Sequence, residues 1–400
     1  MKKQVLLSPA VADFNLDRRR FLTLAGGAAL SQLCMAQSPS LAHVNVAELE
    51  RSRVLAEARS ALLAPISPVT AVPAPHGASG SFYSETEPDL RTAGAASDLA
   101  LFRAQARALR EFSATVACLS AAFLLTADPQ YAARAALHLR ASLLTPATCL
   151  QPEFDRAGCA PGTSTGTPSG VVDLVPLAEL ARALVFLLDS PALTDEEWEA
   201  IRAWFKAANS WLNSNHVALI ARDRKDHRGS AWLLLASAFA RFNQDDSALE
   251  ACRKRFRTPT LRNQARSDGV FPEELATPNP YRNTLFNFDL LAGSCQLLSS
   301  PFDQLWSYEL IDGVGMRSIS AYLYPLIAHP ERWESIADAV DFRSLPGRRA
   351  GLLFAGRAFD RPEYVELWQR LPVVADTREL AASVPIREPL LWTARASHGL

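Results

Sequence analysis

Apolar residues recur with helical spacing along most of the chain. In the clearest stretch, Trp198, Ile201 and Phe205 follow one another at intervals of three or four residues. This spacing places apolar side chains on one face of a helix. Thr194 and Glu197 precede them in the arrangement of a capping box, which is typical of a helix start. The pattern predicts a helix with one buried face that begins at Thr194.

Similar patterns predict further helices, some with start signals of their own. Asp128 followed by Pro129 supplies an N-cap residue and a proline at the first helical position. No segment shows the alternating pattern and turn residues of a β-hairpin. The predicted helices cover residues 97–126, 129–144, 171–188, 193–212, 230–242, 245–256, 284–298, 315–327 and 348–359.

Many helices joined by short turns leave two architectures open, a solenoid of repeats and a closed ring of helical hairpins. A solenoid requires a repeat of fixed period, and the sequence has none. The predicted fold class is therefore all-α, an incomplete (α/α) toroid or barrel of antiparallel helical hairpins. The irregular stretch 66–97, which contains Phe82 and Tyr83, is expected to be either a lid or disordered.

The N-terminal 36 residues have the organisation of an export signal. Arg18 and Arg19 precede Phe21 and Leu22, and the uncharged run 24–35 follows them. Paired arginines before such a run indicate twin-arginine export, so the Tat translocase is an expected partner and the periplasm or exterior the expected location. The run is too short and too rich in glycine for a membrane span of about 20 apolar residues.

Composition limits the classes of ligand. The 400 residues are 48% hydrophobic and carry a formal net charge of −1, which excludes a general basic field for nucleic acid. A polyanionic ligand must therefore be bound locally. No Cys or His spacing indicates a zinc site, and no cofactor or metal is expected. Cys149 and Cys159, ten residues apart, are the expected disulfide if one forms.

Two polar clusters interrupt the apolar helices. Residues 222–229 combine His227 with Lys225 and Arg228 just before a helix, a position suited to an anionic substrate. A solvated charged loop is the alternative interpretation. Residues 268–283 form the second cluster. The alternative interpretation of this cluster is an ordinary turn between helices.

These clusters belong to an ordered series of segments that resembles the alginate lyase family. The series comprises Tyr83 with its neighbours, 144–148, 169–174, 193–212, Asp226 with His227, 268–276, 285–287 and 305–308. The resemblance covers about residues 45–340, so the expected organisation is a signal at 1–36, the family domain at 45–340 and a C-terminal helical extension at 341–400. The order of the segments carries the resemblance, since no single one is decisive.

The resemblance implies a groove that binds an anionic polysaccharide made of uronic acids and cuts it by β-elimination. The proton on C5 of a uronate is weakly acidic while the neighbouring carboxylate is ionised, so an enzyme must neutralise that carboxylate. A base then removes the C5 proton and an acid protonates the departing O4. The family uses an Asn-Asn-His motif and an arginine at the carboxylate and a tyrosine as base and acid.

The family's site residues are only partly matched in this sequence. His227 falls on the family histidine, while Asp226 replaces an asparagine and would repel the substrate. Asn283 falls at the family tyrosine, and Thr277 falls at the arginine. Tyr281 and Arg282 are close enough to replace them, so they join His227, Asp226 and Asn283 as the predicted catalytic residues.

Four further residues are expected to bind substrate. Lys225 and Arg228 would offset the charge of Asp226, Trp232 would stack on a sugar ring, and Tyr83 would close over the groove. Core packing is the alternative interpretation for Trp232.

Three functions remain open on these residues. The first is an active lyase on alginate, polymannuronate or glucuronan. The second is a catalytically impaired module of the same fold that binds uronate polymers, as the departures at Thr277 and Asn283 suggest. The third is a helical scaffold for protein partners, which would bind no saccharide.

Overall fold

Helices account for almost all the secondary structure that can be assigned. The computed structural model of the chain describes residues 44–72, 80–85, 104–160, 163–333, 347–373 and 384–395, so the predicted signal segment lies outside the described residues. The helices are α1 Val46–Leu63, α2 Ala104–Thr126, α3 Pro129–Leu139, α4 Gly170–Asp173, α5 Pro176–Leu184, α6 Asp195–Ser214, α7 His216–Arg222, α8 His227–Phe242, α9 Asp246–Arg255, α10 Leu261–Gln264, α11 Pro272–Leu275, α12 Pro280–Leu298, α13 Met316–Ala328, α14 Ala350–Phe359, α15 Pro362–Arg370 and α16 Pro389–Thr393.

The start signals act as the sequence predicts. Thr194 and Glu197 form the capping box of α6, in which the Thr194 amide donates to the Glu197 carboxylate at 2.9 Å. Asp128 accepts from the amide of Gln130 at 3.0 Å at the start of α3. These bonds satisfy amides that the first helical turn leaves without an internal partner.

The helices form the predicted toroid. Its inner row consists of α2, α5, α8, α12 and α14, each of which contacts the next. Outer helices pack against this row, with α3 on α2, α6 and α9 on α8, and α15 on α14. The inner helices are buried almost all round, and they carry the core of the molecule.

The end of the described chain packs among the inner helices. The short helix α16 contacts α1, α2, α5 and α12. Arg182 of α5 donates to the carbonyl oxygens of Leu391 at 2.7 Å and Ala394 at 2.9 Å. The side chain of Ile386 packs directly on Gly293 of α12, because a Cβ there would lie 2.8 Å from its terminal methyl group. The C-terminal segment, Val384 to Thr393, therefore fills space between helices that are distant in sequence.

One short strand pair is an addition to the predicted helices. Strand β1, Tyr83–Glu85, pairs in parallel with β2, Arg156–Cys159. Gly158 in β2 has a φ of 66°, and a Cβ at this position would lie 2.4 Å from the amide nitrogen of Gly170. This glycine therefore lets the strand pair approach α4 closely.

Several local predictions need correction. Residues 171–188 form two helices rather than one, with Pro176 at the start of the second. Helices α1, α7, α10, α11, α15 and α16 are absent from the predicted set. The expected disulfide between Cys149 and Cys159 does not form in the described part of the chain. Trp198 is buried, as predicted for the apolar face of α6.

Among the described residues, one helix has the length and apolar composition of a membrane span. Residues Gln105–Thr126, within α2, form an apolar stretch that is 56% buried. Because α2 also packs against α1, α3 and α5, this helix belongs to the inner row of the toroid.

A buried carboxylate within the C-terminal segment should make the stability of the protein depend on pH. Burial raises the pKa of Glu388 from 4.5 to about 7, although Arg53 pairs with it at 2.8 Å and lowers it. The folded protein thus retains a proton that the unfolded chain releases, so this stabilisation is complete below the unfolded pKa and is lost as the pH rises through about 7.

As the pH rises from below 4.5 to above 7, we expect the free energy of unfolding of the wild type to fall by about 3 kcal/mol relative to that of Glu388→Gln. Each tenfold difference in proton affinity between the folded and unfolded states corresponds to about 1.36 kcal/mol. Urea unfolding of both proteins at several pH values measures the difference. Parallel stability curves would contradict the assignment.

Candidate active site

The candidate site is built on the first turn of the inner helix α8. Asp226 is its N-cap residue and accepts from the amide of Arg228 at 3.1 Å. The preceding turn folds back closely, because a Cβ on Gly229 would lie 2.3 Å from the carbonyl oxygen of Arg224. A glycine at this position therefore allows the turn to place His227 at the start of the helix.

Asp226 does not present an uncompensated negative charge to a ligand. Its side chain is buried and forms ion pairs with Arg224, at 2.8 Å, and with Arg228. Burial alone would raise the pKa of Asp226, but the neighbouring His227 and Arg228 lower it below its usual range. The repulsion expected from Asp226 is thus neutralised within the turn, and Arg228 contributes to this neutralisation.

His227 is held by a fully buried carboxylate. Its Nδ1 lies 2.9 Å from Oε2 of Glu274, and its backbone amide donates to the other oxygen of the same carboxylate. Glu274 lies on α11 and has 0% exposure. A carboxylate at Nδ1 fixes the tautomer in which Nδ1 carries the proton and Nε2 carries the lone pair.

Two buried amides support the turn from behind. Gln264, at the end of α10, donates to the carbonyl oxygen of Asp226 at 2.7 Å. Asn287 of α12 donates to Gln264 at 2.8 Å. Because neither side chain is exposed to water, these bonds hold the start of α8 rigidly against α12.

One face of α12 carries Asn283 towards this site. Phe286, one turn further along, packs edge-on against the His227 ring with centroids 6.0 Å apart. Asn283 donates to Thr277 at 3.0 Å, and Thr277 donates to the backbone carbonyl of Glu274 at 2.7 Å. The two residues at the family's tyrosine and arginine positions therefore bond to each other beside Glu274.

Tyr281 lies on a different side of α12. Two residues correspond to a rotation of about 200° around a helix, so Tyr281 and Asn283 face away from each other. The Tyr281 hydroxyl donates to the carbonyl of Leu326 at 3.2 Å, and its ring lies 5.1 Å from that of Trp333. The predicted acid–base role of Tyr281 finds no support in this placement. Arg282 lies between them and is partly exposed.

The other residues predicted to bind substrate differ in their exposure and in their contacts. Lys225 is exposed on the turn before α8. Tyr83 is 3% exposed in β1, and its amide donates to Gln105 at 2.6 Å, so it is part of a strand rather than of an irregular loop. Trp232 is 5% exposed and donates to the carbonyl of Leu212 at 2.9 Å. The stacking role predicted for Trp232 is corrected to core packing, because its ring is enclosed in the core.

Sequence reasoning did not assign Glu274, Gln264, Asn287 or Arg224 to the site. A signal was present for Glu274, since it lies in the second polar cluster. Nothing local distinguishes it from its exposed neighbour Glu273, however, and only the fold brings it to His227.

A group of possible metal ligands lies elsewhere in the described part of the chain. Glu57, Cys118 and Glu388 bring one ligand atom each within 4.8 Å of one another. Arg53 already pairs with both carboxylates, and burial raises the pKa of Cys118, which favours the thiol over the metal-binding thiolate. The group is therefore an internal ion-pair cluster.

The fold and the His227 turn can now be compared with known proteins. The family model described as alginate lyase matches residues 59–333. This match and the toroid define a polysaccharide lyase, a carbon–oxygen lyase. The chain belongs to the alginate lyase family.

Similar solved structures are distant in sequence. An alginate lyase from Bacteroides ovatus is 20% identical with a TM-score of 0.74, over 87% of this chain and 96% of that one. Alginate lyase A1-III from Sphingomonas species A1 is 14% identical with a TM-score of 0.49, over 80% and 88% of the two chains. A search of curated proteins gives no match.

Proposed function

We propose that the protein cleaves a uronic acid polymer of the alginate or polymannuronate type by β-elimination, with His227 at the reacting carbon. Family membership supports the reaction class, and the His227–Glu274 pair supports the position of the chemistry. A histidine whose Nδ1 is bound by a buried carboxylate has the arrangement of a general base, in which the carboxylate stabilises the imidazolium that forms.

Neutralisation of the substrate carboxylate is assigned to the polar groups around the pair. The Asn283 amide can donate a hydrogen bond, and Lys225 and Arg282 can supply positive charge near the mouth of the site. These interactions strengthen as negative charge moves onto the carboxylate in the transition state, so they lower the barrier to proton removal.

His227 then accounts for both proton transfers. Nε2 removes the C5 proton, the C5 electron pair forms the C4–C5 double bond, and the C4–O4 bond breaks. The imidazolium returns its proton to O4. In mannuronate and glucuronate, the C5 proton and O4 lie on the same face of the sugar ring. In guluronate the configuration at C5 is inverted, so the C5 proton and O4 lie on opposite faces. Because one residue serves both atoms most easily from one face of the ring, the two C5 epimers should not react equally.

Incubation of the purified protein with polymannuronate, glucuronan and polyguluronate tests this proposal. Ultraviolet absorbance from the unsaturated product should rise on one or both of the first two polymers and remain low on the third. No rise on any polymer would exclude an active lyase. Calorimetric binding of polymannuronate without turnover would then favour the impaired binding module, and no binding would favour a protein scaffold.

A Tyr281→Phe variant separates the two candidates for proton transfer. We expect kcat to stay within about threefold of wild type, because the lost bond to Leu326 is structural and worth about 1 kcal/mol of stability. A fall in kcat of about 10²-fold or more, with thermal unfolding unchanged, would assign the proton transfer to Tyr281 instead.

Export remains part of the proposal. We infer that residues 1–36 direct the folded protein through the Tat translocase to the periplasm or beyond, where uronate polymers would be encountered.

A further inference from the structure

A pocket with two arginines in its lining shares Phe286 with the His227 site. It is lined by α2, by α4 and α5, by Phe286 of α12 and by the C-terminal segment, and it encloses about 420 Å³ including its open mouth. Arg387 supplies positive charge, and Arg110 and Ser113 also line the pocket. None of these three residues belongs to the His227 turn.

Two contacts connect the pocket to the candidate active site. Phe286 forms one wall of the pocket and also packs edge-on against the His227 ring. Val172 of α4 forms a second wall, and α4 begins directly after Ser169, whose hydroxyl accepts from Arg228 at 3.2 Å. A polymer bound at His227 would therefore pass close to the pocket.

The polar groups of the pocket suit an anion. Ser113 is 1% exposed, and its hydroxyl has no hydrogen-bond partner among the described residues. A buried hydroxyl without a partner is costly, and a ligand that enters the pocket would satisfy it. The carboxylate in the lining, Glu179, accepts from the amides of Arg387 and Glu388 at 2.8 Å each, and burial raises its pKa. Its repulsion of an anion is thereby reduced.

Arg387 is held in place although its side chain is exposed. Its backbone is fixed by Glu179, and the next residue, Glu388, pairs with Arg53 at 2.8 Å. Two residues before it, Pro385 also lines the pocket. The backbone that carries Arg387 is thus fixed before a ligand binds, which reduces the entropy lost on binding.

We propose that this pocket binds the carboxylate of a second uronate residue of the polymer, next to the one at His227. Every ring of such a polymer carries a carboxylate, and the planar guanidinium group of Arg387 matches the geometry of a carboxylate. Arg387 lies beyond residues 59–333, so the C-terminal extension contributes directly to substrate binding. The identity of the ligand rests on the proposed function.

Binding of a mannuronate trisaccharide tests the subsite without turnover. Calorimetry is performed on His227→Ala protein and on the same protein with Arg387→Gln, Ser113→Ala or the control Arg370→Gln, an exposed arginine of α15. We expect Arg387→Gln to raise Kd about tenfold, as for loss of a partly exposed charged hydrogen bond. Ser113→Ala should raise Kd about threefold without lowering the unfolding temperature, because its hydroxyl has no described partner to lose. The methyl-esterified trisaccharide should bind equally to all four proteins.

The outcomes separate this subsite from the catalytic proposal. Equal Kd values for the parent and Arg387→Gln proteins, or no binding to any of them, would overturn the subsite. Unsaturated product from wild-type protein, together with an unchanged Kd, would leave the lyase intact and remove only the subsite. Sensitivity of Kd to Arg387→Gln without any product from wild-type protein would retain the subsite and refute the lyase.

Discussion

Replacement of His227 by alanine should lower kcat/KM on polymannuronate by about 10³-fold, within the range that general acid–base catalysis contributes. Among the described residues at the start of α8, the imidazole combines a lone pair with a buried carboxylate partner, at 2.9 Å. Its removal leaves the C5 proton without an acceptor in the proposed mechanism. Initial rates from product absorbance measure the effect, and circular dichroism checks the fold.

A second substitution at His227 separates a loss of chemistry from a loss of structure. His227→Gln introduces an amide that can donate to Glu274 but cannot accept the C5 proton. This variant should therefore lose as much activity as His227→Ala, with a smaller effect on stability. His329→Ala is the matched control, because His329 is exposed and pairs only with Glu331 among the described contacts. Retention of activity within about threefold in both His227 variants would remove this residue from the chemistry. If the wild type shows no turnover and the His227 variants only bind the polymer more weakly, the result would support the catalytically impaired binding module.

Glu274→Gln should lower kcat by about 10²- to 10³-fold while changing KM little, since exchange of the acid for its amide in a related acid–histidine pair costs about 10⁴-fold through the wrong tautomer. Glu274 accepts from both the Nδ1 and the backbone amide of His227, so a glutamine must turn its NH₂ group towards one of these donors. We expect about 1–3 kcal/mol of destabilisation as well.

The readout that identifies positioning is the tautomer of His227. Nitrogen chemical shifts of the labelled imidazole should move from the Nδ1-protonated form towards the Nε2-protonated form in Glu274→Gln. Glu273→Gln, at the exposed neighbouring residue, should change neither kcat nor the chemical shifts. An unchanged tautomer alongside a reduced kcat would show that Glu274 acts through stability alone.

The helices can be predicted largely because their signals are local. The capping box at Thr194 and the Asp128–Pro129 start depend on residues no more than three apart, and both form as the sequence indicates. The parallel pairing of Tyr83–Glu85 with Arg156–Cys159 joins segments about 70 residues apart and has no hairpin turn to announce it. Such short strands exist because tertiary contacts support them.

The site shows the same division between local and distant information. The position of His227 in an ordered series of segments identifies it, and Asp226 stands out as a departure. The sequence does not show the effect of that departure, because the side chains of Arg224 and Arg228 fold back onto Asp226. Glu274 lies 47 residues from His227, so no local pattern could show that they pair. The enclosure of Trp232 likewise depends on how α8 meets the end of α6.

The position of α16 also affects how the chain can fold during synthesis. Val384 to Thr393 leave the ribosome after every helix of the inner row, yet α16 packs against α1, α2, α5 and α12. Until α16 has been synthesised, part of the apolar surface of those helices stays exposed. Nascent chains with such exposed surface depend on chaperones. Truncation by a stop codon just before residue 384 would yield a chain with every inner-row helix but without the contacts that α16 makes with three of them.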